Sequence, residues 1–239
     1  MNAGHILSAF DSDLEHLQSL MLRMGGLAEQ AMQDAMTALE KGDLELAGKV
    51  KAGDQVIDDL EEQIRQEVER VIAIRSPNAG DLRTVLSILT MASTLERCGD
   101  YARNVAKRTF VLEELRYSST LNGTLRRMSR VVEAMLADAL DAYVNRDQAK
   151  AQDVIERDLE ADQIYNSLFR ELLTHMMEDP RTIAPAMHLH FIAKNIERIG
   201  DHATTLAEQA IYLVTGALPS DDRPKQDVTS VNLSDLQSG

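Results

Sequence analysis

The sequence contains few residues that interrupt or cross-link secondary structure. Its 239 residues include 5 Pro, 1 Cys and no Trp, and only 4% of them are aromatic. A single cysteine excludes an intramolecular disulfide and is consistent with a reducing compartment. Ala, Leu, Glu and Arg, which are strong helix formers, are abundant. This composition predicts an all-helical protein.

Positive charge is also scarce, because 25 basic residues face 39 acidic ones and the net charge is −14. Such a balance argues against binding nucleic acid or an anionic membrane surface by simple charge attraction. It is compatible with binding cations or a basic protein partner. No apolar run reaches the 18 or more residues of a membrane span, and residues 1–13 have no signal-peptide pattern. We therefore expect a cytoplasmic protein without direct membrane insertion.

The sequence has none of the common catalytic patterns. It lacks Gly-x-Ser-x-Gly, a phosphate-binding Gly loop, Cys-x-x-Cys and His-Glu-x-x-His. The Glu-x-x-His pairs of a ferritin-like di-metal core are missing as well. We therefore expect a protein that is not an enzyme.

One polar motif occurs twice. Residues 95–106 read LERCGDYARNVA, and residues 196–207 read IERIGDHATTLA. Other matched positions lie 104 residues apart, including Asp43 with Asp147 and Met24 with Met128. The two motif copies lie 101 residues apart, so the offset changes only slightly along the chain. Such matches indicate an internal repeat of about 100 residues.

Apolar residues recur at helical spacing in each repeat, and Gly and Pro separate the segments. This pattern predicts two tandem three-helix bundles with mostly antiparallel helices, related by internal duplication. The expected domains are 1–117 and 118–216, followed by a disordered polar tail, 217–239; residues 118–124 are a predicted linker. The predicted helices are 8–40, 44–74, 81–115, 123–145, 147–177 and 182–215.

Several local expectations follow from the same patterns. Asp43 should cap the second helix, and Gly25 and Gly26 should mark a close helix crossing. The apolar stripe of the second helix is predicted as Leu46, Val50, Gly53, Ile57, Leu60, Ile64, Glu67, Val71 and Ile74. An outward apolar patch, expected to contact the other half or another protein, comprises Leu82, Leu86, Leu89 and, in the repeat, Ile183 and Met187.

Two groups of carboxylates are the candidate sites. Each has two acids one turn apart on one helix and two more on the next. The first acidic cluster comprises Asp54, Asp58, Glu96 and Asp100; the second comprises Asp158, Asp162, Glu197 and Asp201. Four converging carboxylates repel one another unless a cation neutralises them, and oxygen ligands suit iron, manganese or zinc. The alternative is pairing with Arg65, Arg97, Arg103, Arg157 or Arg198.

Other polar residues have weaker signals. His190 shares a helical face with Glu197 and Asp201 and is a candidate extra ligand, although an ordinary surface histidine is the simpler interpretation. His202 occupies the position of Tyr101 in the repeat and receives no role. Cys98 lies on an apolar stripe and is interpreted as a small buried hydrophobe.

The doubled motif within a six-helix frame resembles the PhoU family of bacterial phosphate-transport accessory and regulatory proteins. Supporting matches are Met24 with Gly25, the Asp54/Asp58 and Asp158/Asp162 pairs, and Asp81 with Leu82 and Arg83. The resemblance covers about residues 8 to 216 and implies two similar three-helix bundles side by side.

The resemblance also implies a function. Such proteins act between the ATPase subunit of the phosphate ABC transporter and a membrane sensor histidine kinase, and they damp both when phosphate is plentiful. Some members carry iron or zinc on acidic motifs, which correspond here to the two acidic clusters; Asn104 matches the pattern and Thr205 departs from it. We also expect a homodimer. The alternative function is a metal-binding or metal-storage helical protein, or a metal-dependent enzyme, that uses the acidic surfaces.

Overall fold

The structure, a computed structural model, describes residues 3–115 and 122–219. These residues form six α-helices and one 3-10 turn and include no strand. The helices are α1 (Ala3–Lys41), α2 (Leu44–Arg75), α3 (Ala79–Glu114), α4 (Asn122–Asn145), α5 (Gln148–Glu178) and α6 (Ile183–Thr215), with the 3-10 turn at Pro180–Thr182 before α6. The all-α prediction is confirmed.

The duplicated helix starts have the same physical basis. The Asp43 carboxylate accepts a hydrogen bond from Leu46 N at 2.9 Å, and Asp147 accepts one from Lys150 N at 3.0 Å. Each bond satisfies a backbone donor that would otherwise be unpaired at the helix terminus. The preceding residues, Gly42 and Arg146, both have positive φ, 63° and 52°. The two halves therefore share the backbone geometry of this turn as well as the sequence motif.

Each half is a three-helix bundle, and the halves meet along two helix pairs. In the first half α1, α2 and α3 pack together, and in the second half α4, α5 and α6 do so. Helix α3 packs on α6 and α1 packs on α4, whereas α2 and α5 pack on the helices of their own halves. Helices α2 and α5 therefore lie on the outside of the molecule.

The α3–α6 contact is antiparallel and pseudo-twofold. Arg83 near the start of α3 lies over the Tyr212 ring at 5.2 Å, and Arg108 donates a hydrogen bond to His188 Nδ1 at 2.9 Å. Between these contacts the Tyr101 and His202 rings stack with centroids 5.6 Å apart. Since Tyr101 and His202 are equivalent in the repeat, the pseudo-twofold axis passes between them.

His202, to which the sequence assigned no role, therefore contacts the opposite half through its ring. Comparison of the two motif copies shows only that Tyr101 in the first half is replaced by His202 in the second. Their contact depends on antiparallel pairing of α3 with α6, which the motif does not specify.

The buried side of α2 differs from the predicted stripe. Asp54 and Val68 are buried where Gly53 and Glu67 were expected, and Ile74 is 61% exposed. Helix α2 packs against both α1 and α3, so its buried arc is wider than the single stripe of a two-helix contact. This difference places a carboxylate, Asp54, among the core positions.

The predicted close crossing exists at one of the two glycines. A Cβ atom on Gly25 would lie 2.7 Å from Leu140 Cδ1, so this position lets α1 approach α4. Gly26 has no atom within 4 Å of the corresponding position. The prediction is confirmed for Gly25 and wrong for Gly26.

The helix limits agree with the prediction to within a few residues except at the start of α1, which begins at Ala3 and not at residue 8. Helix α4 begins at Asn122, so the last residues of the predicted linker, 118–124, belong to this helix. Residues 116–121 and 220–239 lie outside the described residues, so the rest of the linker and the tail stay predictions. Among the helices that are described, none is both long and apolar enough to span a membrane.

Candidate functional site

The first acidic cluster forms where α2 crosses α3. Asp54 is only 5% exposed, and Asp58, Glu96 and Asp100 are half-buried. Burial raises the pKa of Asp54, opposed by Arg103, and the charges of Asp58 and Asp100 raise it further. Burial also raises the pKa of Glu96, as do the charges of Asp100 and Asp58. Asp58 and Asp100 are therefore close enough to raise the pKa of both Asp54 and Glu96.

Arg103 is the counter-ion of the first acidic cluster. Its guanidinium donates to the Asp54 carboxylate and also forms an ion pair with Asp100, one turn earlier on α3. Two of the four acids therefore pair with an arginine, which is the alternative to metal binding that the sequence left open. The Asp54 Oδ1 atom is nevertheless buried without a hydrogen-bond partner.

Close helix packing explains the glycine of the first motif. A Cβ atom on Gly99 would lie 2.9 Å from Ile57 Cδ1, so the absent side chain lets α3 approach α2. A Cβ atom on Gly200 would lie 3.4 Å from Val132 Cγ2 and 3.6 Å from Asp158 Oδ1, which are ordinary van der Waals distances. The steric requirement for glycine is therefore present in the first half and not in the second.

The second acidic cluster forms where α5 meets α6. Glu197 is only 6% exposed, and its Oε1 atom lies 2.7 Å from Lys194 Nζ. Burial raises the pKa of Glu197, opposed by the hydrogen bond from Lys194, and the charges of Asp201 and Asp162 raise it further. The Glu197 Oε2 atom is buried without a hydrogen-bond partner.

The two clusters differ in the cation that neutralises them. Thr204 occupies the position equivalent to Arg103, and its hydroxyl donates to the Asp201 carbonyl oxygen at 2.7 Å. The position equivalent to Lys194 is Ser93 in the first half. The cation is therefore an arginine three residues after Asp100 in the first half, and a lysine three residues before Glu197 in the second. The sequence repeat predicted the shared carboxylates but did not predict this exchange.

The structure contains features that favour and oppose a metal site. Each cluster has one buried carboxylate oxygen without a partner, which is an available donor. In residues 3–115 and 122–219, however, no three His, Cys, Asp or Glu side chains are arranged to hold a metal ion. Asp54 and Glu197 are buried, and so do not lie on the acidic surfaces that the sequence predicted. Metal binding itself stays a prediction.

The remaining candidates have ordinary packing roles. His190 is half-buried against Phe169, with ring centroids 5.1 Å apart, and burial together with Lys194 lowers its pKa. Cys98 is buried, and burial raises its pKa to about 12, which confirms its interpretation as a small buried hydrophobe.

The expected apolar patch is divided between the two ends of the α3–α6 pair. Leu86 is 44% exposed near the start of α3, and its equivalent, Met187, is 39% exposed near the start of α6. The antiparallel packing places these helix starts at opposite ends. Leu89 instead packs against the core.

Sequence reasoning missed a basic groove between α3 and α6. Its lining includes Lys107 and Arg108 from α3 and Lys194 and Arg198 from α6. The only signal in the sequence is the i, i+4 spacing of Lys194 and Arg198, which places both on one side of α6. Nothing in the sequence indicates that the basic pair of α3 lies opposite them.

The fold and these clusters define a duplicated six-helix protein in which each three-helix half carries one acidic cluster. The sequence model of the PhoU domain matches residues 21–109 and 125–210. The chain therefore belongs to the PhoU family, which confirms the resemblance.

Curated relatives and solved structures agree with this assignment. The phosphate-specific transport system accessory protein PhoU homolog of Rhizobium meliloti (strain 1021) is 47% identical over 96% of this chain and 97% of its own. The protein of the same name from Caulobacter vibrioides (strain NA1000 / CB15N) is 45% identical over 95% of this chain and 98% of its own. The crystal structure of PhoU from Pseudomonas aeruginosa matches with a TM-score of 0.85 at 40% identity, covering 87% of this chain and all of that one.

Proposed function

We propose that this protein is a cytoplasmic regulator of phosphate uptake and of phosphate-starvation signalling. It acts as a negative adaptor between the ATPase subunit of a phosphate ABC transporter and a membrane sensor histidine kinase. The observation that carries the proposal is the presence of PhoU domains in both halves of a chain whose relatives are named accessory proteins of phosphate-specific transport.

The exposed apolar residues at the two ends of the α3–α6 pair are the proposed partner contacts. Leu86 and Met187 occupy equivalent positions and remain exposed in a molecule whose other large apolar side chains are mostly buried. Apolar surface of this kind often contacts another protein. A pseudo-twofold molecule with one such contact at each end can join two partners, or two copies of itself.

Affinity purification from cells grown at high phosphate tests the adaptor role. We expect mass spectrometry to identify the transporter ATPase subunit and the histidine kinase. The double variant Leu86→Asp/Met187→Asp should recover less of both. The matched control is Val56→Asp/Leu173→Asp, which adds the same charge on the outer helices α2 and α5 at residues that are 42% and 40% exposed.

Two results would contradict this role. One is recovery of neither partner with the wild-type protein. The other is a deletion strain in which a starvation-gene reporter stays silent at high phosphate, because loss of a negative regulator should activate it.

We also propose metal binding at the acidic clusters, with iron, zinc or manganese as the ion. Asp54, Asp58, Glu96 and Asp100 would hold one ion, and Asp158, Asp162, Glu197 and Asp201 the other. The supporting observation is the unpartnered buried oxygen of Asp54 and of Glu197. Bound metal would supply positive charge that offsets carboxylate repulsion. Arg103 already supplies positive charge to the first cluster. Metal binding there should therefore displace Arg103 from its ion pairs with Asp54 and Asp100.

Elemental analysis after metal loading tests this second proposal. We expect Glu96→Ala/Asp100→Ala to lose about half of the bound metal while the helical circular dichroism signal persists, because it removes two of the four acids in one of the two clusters. Arg103→Gln should bind metal more tightly than the wild type, because it removes the competing cation. Asp59→Ala/Glu69→Ala, which removes two exposed acids of α2, is the control. Equal stoichiometry in all of these proteins would assign the clusters to ion pairing alone.

Partner binding by metal-free protein separates the two proposals. An adaptor should recover its partners after chelation. A protein that only stores or uses metal should not recover them under either condition.

A further inference from the structure

The groove between α3 and α6 concentrates positive charge in an acidic protein. It has a volume of about 570 Å³, and its lining includes four cationic residues and two amides: Lys107, Arg108, Lys194, Arg198, Asn104 and Asn195. Among the residues that the structure describes, none that lines the groove is acidic. The whole chain, in contrast, has a net charge of −14. A basic groove in such a background attracts an anion locally, and not through the charge of the whole molecule.

Aromatic contacts hold three of these cations in place. The Arg108 guanidinium lies over the Phe191 ring at 4.5 Å, Lys194 Nζ lies 5.1 Å from the Tyr165 centroid, and Arg198 lies over Tyr101 at 5.6 Å. Stacking on an aromatic face leaves the edge of a guanidinium available to donate hydrogen bonds. The groove therefore presents donors that are positioned before any ligand arrives.

These cations are only partly neutralised. Lys194 pairs with Glu197, but Lys107, Arg108 and Arg198 have no carboxylate partner in residues 3–115 and 122–219. Burial and Arg108 lower the pKa of His188, and burial and Lys194 lower that of His190.

The pseudo-twofold relation provides an internal comparison. The equivalents of Lys107, Arg108 and Lys194, found 101 residues along the repeat, are Glu208, Gln209 and Ser93. Only Arg198 has a basic equivalent, Arg97. A requirement of helix packing would apply equally to both halves, yet the charge is concentrated on one side. This asymmetry indicates that the cations of the groove bind a ligand and do not serve helix packing.

We infer that this groove binds an anion that carries two or more phosphoryl groups. Guanidinium, ammonium and amide donors together match phosphoryl oxygens. The volume lies within the range of about 300–1,000 Å³ that is typical of ligand pockets, so one orthophosphate would leave much of the groove unfilled. A short polyphosphate or the phosphate chain of a nucleotide can contact donors of both helices.

Isothermal titration of the full chain with sodium tripolyphosphate tests the inference. The double variant Lys107→Gln/Arg198→Gln should weaken binding by about tenfold or more, because each lost contact is a charge-assisted hydrogen bond. The matched control, Arg97→Gln/Lys51→Gln, removes the same charge at the pseudo-equivalent position and at an exposed residue of α2. It should bind within about twofold of the wild type.

Other ligands define the chemistry. Pyrophosphate and ATP should bind, and orthophosphate and sulfate should bind more weakly. If ATP binds more tightly than tripolyphosphate, the groove recognises a nucleotide. If the two bind with equal affinity, it recognises the phosphate chain. Both results support the inference. Affinity should fall with added salt. Nuclear magnetic resonance should show a rise in the pKa of His188 on binding, because the anion offsets Arg108.

Three results would overturn the inference. Absence of tripolyphosphate binding to the wild type is one, and equal weakening in both double variants is another, because it would indicate diffuse charge attraction. Hexaglutamate binding as tightly as tripolyphosphate is the third, because the groove would then recognise acidic peptide and not phosphoryl groups.

Discussion

At the scale of single residues, the notable feature is burial of carboxylates within a helical core. Asp54 and Glu197 are each more than nine-tenths buried, and each has one oxygen without a hydrogen-bond partner. A buried charge opposes folding unless its partners compensate. Arg103 and Lys194 supply part of that compensation. Both carboxylates therefore remain sensitive to protonation and to any cation that reaches them.

Glu197→Gln should change how stability depends on pH. The pKa of Glu197 in the folded protein is raised above its ordinary 4.5. The stability this group contributes is therefore fully present below about pH 4.5 and is lost as the pH rises through the raised value. Glutamine keeps an oxygen that can accept from Lys194 but removes the buried charge. We expect the variant to be more stable than the wild type at pH 7.5, with a difference that shrinks on acidification.

Urea unfolding between pH 4.5 and 8 measures this effect. The control is Glu171→Gln, which changes an exposed residue of α5. A difference for Glu197→Gln that is independent of pH would show that the carboxylate charge does not determine its effect on stability.

At the scale of elements, the repeat preserves helix termini more faithfully than side-chain chemistry. The capping aspartates and the positive-φ turns recur at an offset of 104 residues, although Gly42 and Arg146 differ in kind. Capping depends on a few neighbouring atoms, so it is insensitive to the rest of the fold. The counter-ions of the acidic clusters, which depend on neighbouring helices, did not remain equivalent.

Asp43→Ala and Asp147→Ala should each destabilise the protein by about 0.5–2 kcal/mol, because each removes the acceptor for a helix N-terminal N–H. Their effects should add within about 0.5 kcal/mol in the double variant, because the caps lie in different halves. Chemical denaturation measures the free energy of unfolding. Asp59→Ala, an exposed position within α2, is the control. Equal effects at Asp43 and Asp59 would contradict the capping role.

At the scale of the whole molecule, α3 and α6 are shared by every functional candidate. Each faces its own acidic cluster on one side and the opposite half on another. The Tyr101–His202 stack marks the pseudo-twofold axis between them. Burial and Arg97 lower the pKa of His202, which favours the neutral form of the stacked imidazole. The acidic clusters and the basic groove therefore share a common helical framework.

A double-mutant cycle on Tyr101→Ala and His202→Ala should show a coupling of about 0.5–1.5 kcal/mol, because stacked aromatic rings contribute beyond buried area. The free energy of unfolding at pH 7.5 is the measurement. The control cycle combines Tyr101→Ala with His175→Ala on α5 and should show coupling near zero. Equal coupling in both cycles would mean that the stack does not join the halves energetically.

The sequence by itself determined the features that depend on near neighbours in the chain. Helical periodicity, the capping Asp43 and the doubled Glu-Arg-x-Gly-Asp motif required no knowledge of tertiary packing. They were sufficient to predict two three-helix halves and the carboxylates of each cluster. Breaks in the pattern located the helix ends to within a few residues, except at the start of α1.

The tertiary structure alone decided which side chains meet. The burial of Asp54 depends on α2 packing against two helices, which widens the buried arc beyond the predicted stripe. The contact of Tyr101 with His202, and the joining of Lys107 with Arg198 in one groove, depend on antiparallel packing of α3 and α6. Such contacts join residues about 90 to 100 positions apart. Periodicity shows which side of a helix is apolar but does not show which other helix lies against it.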